Sequence, residues 1–177
     1  MSKLNYKDSV ITLNRLFPSV LTIFALCAGV TSIRFALVEN WPAALIAILI
    51  AGLFDLLDGR VARLLNVQSK FGAELDSLSD MVCFGIAPGL IIYLWNLNEL
   101  GSKGWAICLI YVVCMALRLA RFNSKLDTEQ PDWMVNFFTG MPAPAAAAVV
   151  LAPVSVSIEF GDTFLSNHVF IAIWTII

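Results

Sequence analysis

Four aspartates fall within residues 55–80 of an otherwise strongly apolar chain: Asp55, Asp58, Asp76 and Asp80. An aspartate at the centre of a membrane helix costs about 2.5–3.5 kcal/mol on insertion scales, and neighbouring carboxylates also repel one another. Bound cations would offset both effects, and a reaction that needs the cations would explain why the acids are present. We therefore interpret the four aspartates as a metal-binding and catalytic site.

The first two aspartates share one helix face with small residues. At about 100° per residue, Gly59 lies beside Asp55, and Ala62 lies one turn beyond Asp58. Small residues next to the acids leave room for a ligand, and the glycine lets a nucleotide approach the backbone. Arg63 lies at the edge of this face, where its guanidinium can pair with phosphates.

The other two aspartates belong to the next helix. Gly72, Asp76 and Asp80 are spaced i, i+4, i+8 and form a stripe, whereas Glu74 points away from it. Two such helices facing each other would bring four carboxylates together, and ligation by oxygen alone suits Mg²⁺ or Mn²⁺, with substrate phosphates completing the coordination. The alternative is a buried polar network or a solvated helix end, but neither requires acids on inward stripes flanked by glycines.

The composition indicates that these helices lie in a membrane. Hydrophobic residues make up 59% of the sequence and charged residues 14%, whereas a soluble domain carries about 25% charge. Since a span needs about 20 mostly apolar residues, we predict an all-α polytopic membrane bundle of six spans, forming one domain over residues 1–177. The sixth span begins near residue 164 and is cut off at Ile177, so we expect the domain to be incomplete at its C-terminus. The complete spans are predicted at residues 17–38, 41–63, 74–97, 104–122 and 137–157.

The basic residues predict the orientation, because cytosolic loops of membrane proteins carry an excess of Lys and Arg. With the N-terminus in the cytosol, the polar segments 1–15 and 123–136 are cytosolic, and segment 1–15 is either an interfacial helix or a frayed terminus. Only Lys103 then falls clearly in an outer loop. The cytosolic basic residues would be Lys3, Lys7, Arg15, Arg60, Arg63, Lys70, Arg118, Arg121 and Lys125. The four cysteines lack CxxC spacing, and we interpret them as packing residues.

The pattern D-x2-D-G-x2-A-R-x8-G-x3-D-x3-D over residues 55–80 resembles the signature of the CDP-alcohol phosphatidyltransferases. The resemblance implies a six-helix membrane fold, usually a homodimer, with a polar cavity open to the cytosol. We expect the protein to lie in the inner membrane of the cell. The resemblance also implies two divalent cations, Mg²⁺ or Mn²⁺, and displacement of CMP from a CDP-linked lipid by an alcohol. No nucleic-acid partner is expected.

The resemblance also assigns roles to individual residues. Asp55, Asp58 and Asp76 would hold metal, while Asp80 would lie near the metal and act as the general base. The residues that would line the CDP site are Gly59, Ala62, Arg63, Gly72 and Ser77. We expect a direct in-line attack at phosphorus without a phosphatidyl-enzyme, because the sequence offers no obvious histidine nucleophile.

Two further segments, 117–123 and 137–148, resemble the branch of the family that transfers the phosphatidyl group of CDP-diacylglycerol to L-serine. Arg118 and Arg121 lie one turn apart and can present a guanidinium to the serine carboxylate, and Asn123 can offer an amide. Alternatively, these arginines only satisfy the positive-inside rule or reach lipid phosphates.

Two other functions stay open on the sequence. The same chemistry could use glycerol phosphate, inositol phosphate or choline as the acceptor, although a phosphorylated alcohol needs more basic residues in the pocket. A divalent-cation transporter also uses intramembrane aspartates. It needs polar groups through the whole membrane depth, however, whereas the charges of these spans gather at one end.

Overall fold

A computed structural model describes residues 6–65, 69–126, 141–161 and 167–176, except for the side chains of 6–17 and 125–126. The described residues are almost entirely helical. Five helical stretches are long and apolar enough to cross a membrane, which makes the chain an integral membrane protein. The α-helices are α1 Tyr6–Leu37, α2 Trp41–Leu64, α3 Lys70–Asp80, α4 Ala87–Trp95, α5 Ser102–Leu126, α6 Ala143–Phe160 and α7 His168–Ile176.

Local sequence signals explain where the helices begin. The side chain of Asn40 accepts a hydrogen bond from the Ala43 N–H and caps α2, after a turn in which Glu39 takes a positive φ of 58°. Ser69 caps α3 by accepting from the Gly72 N–H at 2.9 Å. The helix α6 begins after Pro142, and a proline also occupies its first turn, where the missing N–H costs nothing.

The third span is a composite of α3, a π-helical segment Met81–Ile86, and α4. Residue 88 is a proline, so the usual α-helical hydrogen bond to the Phe84 carbonyl cannot form. The Tyr111 hydroxyl of α5 donates to that carbonyl at 2.8 Å instead. Short π-helical segments are rare and often lie at functional sites, and this one begins immediately after Asp80.

A second proline-freed carbonyl joins α6 to α7. Pro153 lies inside α6 and has no N–H to offer the Val149 carbonyl. The indole Nε1–H of Trp174, in α7, donates to that carbonyl at 2.8 Å. Because hydrocarbon supplies no replacement donor, the bond fixes α7 against α6.

We expect Trp174→Phe to lower the free energy of unfolding by about 1–3 kcal/mol, because it leaves the Val149 carbonyl without a donor. The measurement is denaturant unfolding of the purified chain in detergent micelles. In a Pro153→Ala background the backbone N–H is restored, so the same tryptophan change should cost clearly less. An equal cost in both backgrounds would show that the indole acts through packing alone.

The structure confirms the all-α class and five of the predicted spans. The third span begins at Lys70 rather than at residue 74, since Ser69 caps the helix there. The helix of the fifth begins at Ala143 rather than at 137, because Pro142 is its N-cap, and residues 137–140 lie outside the described part of the chain. The predicted sixth span is not confirmed, since α7 is short.

The structure also describes the N-terminal segment, the cysteines and His168. From Tyr6 onwards, the backbone of the N-terminal polar segment continues the helix of the first span without interruption. All four cysteines are free; Cys83 and Cys108 are buried as packing residues, whereas Cys27 and Cys114 are exposed. His168, to which the sequence assigns no role, lies 2.8 Å from Glu99 through Nε2 and 3.0 Å from Asn96 through Nδ1.

Candidate active site

Three of the four predicted acids meet between α2 and α3. Ligand oxygens of Asp55, Asp76 and Asp80 all lie within 4.8 Å of one another, and we call these residues the three-acid cluster. All three are partly buried. The stripe spacing on α3 and the facing position on α2 therefore produce the convergence expected from the sequence.

Asp58 lies beside the three-acid cluster and is not a member of it. Its side chain is buried, with 5% of its surface exposed. One carboxylate oxygen, Oδ2, accepts a hydrogen bond of 2.6 Å from the Thr22 hydroxyl of α1. The predicted four-acid site is thus three acids in close contact and a fourth held next to them by a neighbouring helix.

The donor set of this site fits a hard divalent cation. Across the described ranges, no lysine or arginine nitrogen lies within 4.0 Å of any of the four carboxylates, and the one ion pair found there joins His168 to Glu99. Carboxylates that are partly buried without a cationic side chain are costly in their charged form, and a bound cation would offset that cost. An oxygen-only group of this size suits Mg²⁺ or Mn²⁺.

The small residues of α2 leave one side of the site open. A Cβ added at Gly59 would have no heavy atom within 4 Å, so a ligand can approach the backbone there. Ala62 is half-buried one turn further on. The Arg63 side chain is exposed, and its Nε donates to the Gly59 carbonyl at 3.0 Å, which leaves its terminal nitrogens available.

Gly72 and Ser77, both on α3, each have a clear structural partner. A Cβ at Gly72 would lie 3.0 Å from the hydroxyl of Ser69, so glycine there preserves the helix cap. Ser77, between two of the acids in sequence, accepts a hydrogen bond from the Asn123 amide of α5 at 2.9 Å, and its hydroxyl lies 3.0 Å from the Ala73 carbonyl and 3.2 Å from Asn123 Oδ1. The predicted CDP-site serine and the predicted serine-site amide are therefore direct neighbours.

The packing of α5 against the third span places Arg118 near the depth of the acids. Two contacts define an antiparallel register, Asn123 with Ser77 and Met115 with Gly85. Interpolating between them puts Arg118 level with residues 81–82, within one turn of Asp80. Its Nε and Nη1 atoms are buried and have no hydrogen-bond partner in the described part of the protein.

The other predicted arginine differs, since the Arg121 side chain is exposed. Arg118 and Arg121 therefore do not share one environment. A guanidinium with two buried, unsatisfied nitrogens is costly unless an anion binds it, whereas an exposed one is satisfied by water or lipid phosphate.

Sequence reasoning missed the contribution of α1. Ser19 and Thr22 are both buried polar residues, with 8% and 4% of their surfaces exposed. Of the two, only Thr22 makes a described hydrogen bond to an acid of the site, Asp58. Two hydroxyl residues spaced i, i+3 on one face of an apolar span are a detectable signal. That signal does not name the partner.

An apolar cavity of about 510 Å³ lies between α2 and α6. Its wall on α2 includes Gly52, one turn before Asp55, and its opposite wall is formed by α6. Apart from Ser155 its lining consists of hydrocarbon and glycine, so it suits an acyl chain rather than a polar ligand. The lining residues are Leu45, Ile48, Leu49, Gly52, Leu53, Leu56, Phe84, Pro144, Ala148, Leu151 and Ser155.

Comparison with known proteins agrees with this geometry. The family model described as CDP-alcohol phosphatidyltransferase matches residues 15–176. Relatives named CDP-diacylglycerol--serine O-phosphatidyltransferase include one from Mycobacterium tuberculosis, 42% identical over 90% of this chain and 56% of the relative. The Mycobacterium leprae protein of that name is 45% identical over 90% and 53%, and the Bacillus subtilis one is 38% identical over 73% and 70%. The chain spans about half the length of the mycobacterial relatives. On this evidence the chain belongs to the CDP-alcohol phosphatidyltransferase family.

Proposed function

We propose that this protein transfers the phosphatidyl group of CDP-diacylglycerol to the hydroxyl of L-serine, giving phosphatidylserine and CMP. The observation that carries the proposal is the three-acid cluster, whose ligand oxygens from two helices lie within 4.8 Å of one another. The names of the relatives supply the acceptor.

The acids are the proposed cation site. Asp55, Asp76 and Asp80, with Asp58 beside them, would hold two divalent cations, Mg²⁺ or Mn²⁺. Such cations neutralise a diphosphate and the departing CMP. The absence of a described lysine or arginine within 4.0 Å of these carboxylates supports this assignment, because two helices would otherwise bring several anions together with no counter-charge.

The CDP end of the lipid would bind along α2 and the start of α3. The open side of Gly59 lets a nucleotide approach the backbone, and the terminal nitrogens of Arg63 can pair with its phosphates. Ala62, Gly72 and Ser77 complete this proposed surface. The apolar cavity between α2 and α6 begins one turn from Asp55 and would accept an acyl chain of the same lipid.

The serine carboxylate would bind Arg118. Two of its nitrogens are buried and unsatisfied in the described structure, and a carboxylate can satisfy a guanidinium in a two-point, charge-assisted pair. Asn123 lies on the same helix and contacts Ser77, so its amide would help to orient the acceptor. Arg121 is exposed and would instead contact a lipid phosphate at the surface.

Asp80 would be the general base. It removes the proton from the serine hydroxyl as the oxygen attacks the phosphorus atom bonded to diacylglycerol. The bond from that phosphorus to the CMP oxygen breaks, and CMP leaves with the electron pair. No covalent phosphatidyl-enzyme forms in this scheme, so a lipid adduct trapped on a side chain during turnover would contradict it.

We further propose that the acids face the cytosol at the inner membrane and that the protein works as a homodimer. The distribution of basic residues supports the orientation. Labelling of single cysteines introduced at Lys103 and Arg60 in sealed vesicles would test it. We expect the cysteine at position 60 to be modified from the cytosolic side and the cysteine at position 103 from the opposite side.

The decisive experiment measures CMP release from CDP-diacylglycerol by the purified chain in micelles containing Mn²⁺, with and without L-serine. We expect CMP and phosphatidylserine to appear together only when serine is present. Glycerol phosphate, inositol phosphate and choline in place of serine are the matched controls. Faster CMP release with one of these alcohols would show that it, and not serine, is the acceptor. No CMP release with any alcohol would contradict the proposed function.

A further inference from the structure

A threonine of α1 contacts the one predicted acid that lies outside the three-acid cluster. The Thr22 hydroxyl oxygen is 2.6 Å from Oδ2 of Asp58, and both residues are buried, with 4% and 5% of their surfaces exposed. A separation of 2.5–2.7 Å is typical of a hydroxyl donating to a charged carboxylate. The contact is therefore among the strong, directional hydrogen bonds that a protein can make.

The hydroxyl has a single proton and two acceptors within reach. The Pro18 carbonyl, at 3.1 Å, is the more distant one, and it lies one turn earlier, where the Thr22 backbone N–H already points at it. The Thr22 hydroxyl therefore donates its proton to the nearer acceptor, the Asp58 carboxylate. The carboxylate keeps acceptor capacity after this bond, because its two oxygens offer about four lone-pair sites.

The position of Thr22 is itself fixed by contacts from the third span, which carries Asp76 and Asp80. The Ser79 hydroxyl donates to the Thr22 carbonyl at 3.4 Å, and the Cys83 thiol donates to the Ala25 carbonyl at 3.3 Å. The helices are so close that a Cβ at Gly29 would lie 2.5 Å from the Cys83 sulfur. Thr22 thus connects an acid of α2 to a backbone that is held against α3 and the π-helical segment.

We propose that Thr22 is a positioning residue for the metal site. Its hydroxyl holds the Asp58 carboxylate in one orientation next to the three-acid cluster, so that a cation does not have to order that side chain on binding. The inference rests on the proposed metal role of the acids. Groups that orient metal ligands in this way affect metal affinity about 10–100-fold when they are removed.

The test measures Mn²⁺ affinity by electron paramagnetic resonance of the purified full chain in micelles, without CDP-lipid or serine. Thr22→Val keeps the shape of the side chain and removes the hydroxyl, and we expect it to weaken Mn²⁺ binding about 10-fold or more. Thr22→Ser keeps the hydroxyl and should bind Mn²⁺ like the parent. Thr22→Ala removes the hydroxyl without a replacement methyl group and gives a second measurement of the same loss.

Two controls separate positioning from packing. Thr31 lies on the same helix and its hydroxyl donates to the Cys27 carbonyl of its own helix, so Thr31→Val should leave Mn²⁺ affinity unchanged. In an Asp58→Asn background, Thr22→Val should add little further loss, since the two residues act as one unit. The inference is wrong if Thr22→Val binds Mn²⁺ as tightly as the parent, or if its loss is undiminished beside Asp58→Asn.

Turnover provides a second and independent readout. Thr22→Val should need more Mn²⁺ for half-maximal CMP release, with kcat largely recovered at saturating Mn²⁺. A parent chain that binds Mn²⁺ and releases no CMP would contradict the proposed function while the affinity comparison still decides the role of Thr22. A parent that binds no Mn²⁺ would overturn the inference itself.

Discussion

Asp80→Asn is expected to lower kcat for CMP release by about 10²–10⁴-fold, the range that a positioned general base contributes. Asparagine keeps the size of the side chain and one oxygen, but it cannot accept the proton of the serine hydroxyl. Because three other carboxylates remain at the site, the variant should still bind Mn²⁺ and CDP-diacylglycerol. Initial rates and ligand affinities measured on the same preparation check both expectations.

The matched comparison is Asp76→Asn, one turn earlier on the same stripe of α3. Asp76 belongs to the three-acid cluster but has no proposed proton-transfer role, so turnover lost in Asp76→Asn should recover at saturating Mn²⁺, whereas turnover lost in Asp80→Asn should not. Glu74→Gln is the neutral control, since that side chain is exposed on the same helix. An Asp80→Asn protein nearly as active as the parent would remove Asp80 from the chemistry.

The acidic stripe could be predicted because it depends on helical periodicity alone. Asp76 and Asp80 are one turn apart on a single helix, so any helix places them on one face. Asp55 belongs to another helix, and the expectation that it faces them required both an apolar environment and the cost of isolated charges within it. The structure places ligand oxygens of all three within 4.8 Å.

The remaining features of the site depend on contacts that no local spacing encodes. Thr22 and Asp58 are separated by 36 positions, and only the packing of α1 against α2 brings them together. The π-helical segment after Asp80 combines a proline at position 88 with a hydroxyl from α5. His168 could not be assigned a partner from sequence, because the side chain of Asn96 that it contacts lies 72 positions earlier.

The burial of the two arginines of α5 also could not be predicted from local spacing. They are one turn apart in sequence and were grouped in one predicted acceptor site. In the structure, Arg121 is exposed, while two nitrogens of Arg118 are buried without a described partner. The sequence spacing predicts that both residues lie on one face of α5. The burial of each side chain, however, depends on how tightly α5 packs on the third span. The difference between their environments is therefore a structural result.

Arg118→Gln is expected to raise the KM for serine about 10–100-fold and to leave the KM for CDP-diacylglycerol nearly unchanged. A hydrogen bond to a charged group is worth about 1.5–3 kcal/mol, and each 1.4 kcal/mol is a factor of ten in affinity. Arg118→Lys should recover only part of this loss, since an ammonium keeps the charge but not the two-point pairing with a carboxylate. Steady-state kinetics with each substrate varied in turn measure the effect.

Arg60→Gln is the matched control for the removal of one positive charge. Arg60 is exposed near the end of α2 and has no proposed substrate contact, so its loss should leave the serine KM unchanged. A purely electrostatic attraction of serine to a basic surface would make the two glutamine variants similar, and it would weaken both effects in high salt. A buried guanidinium bound to a carboxylate is screened much less. A serine KM that rises only for Arg118→Gln, with a rise that persists in high salt, therefore distinguishes a specific carboxylate site from the general positive charge of the surrounding surface.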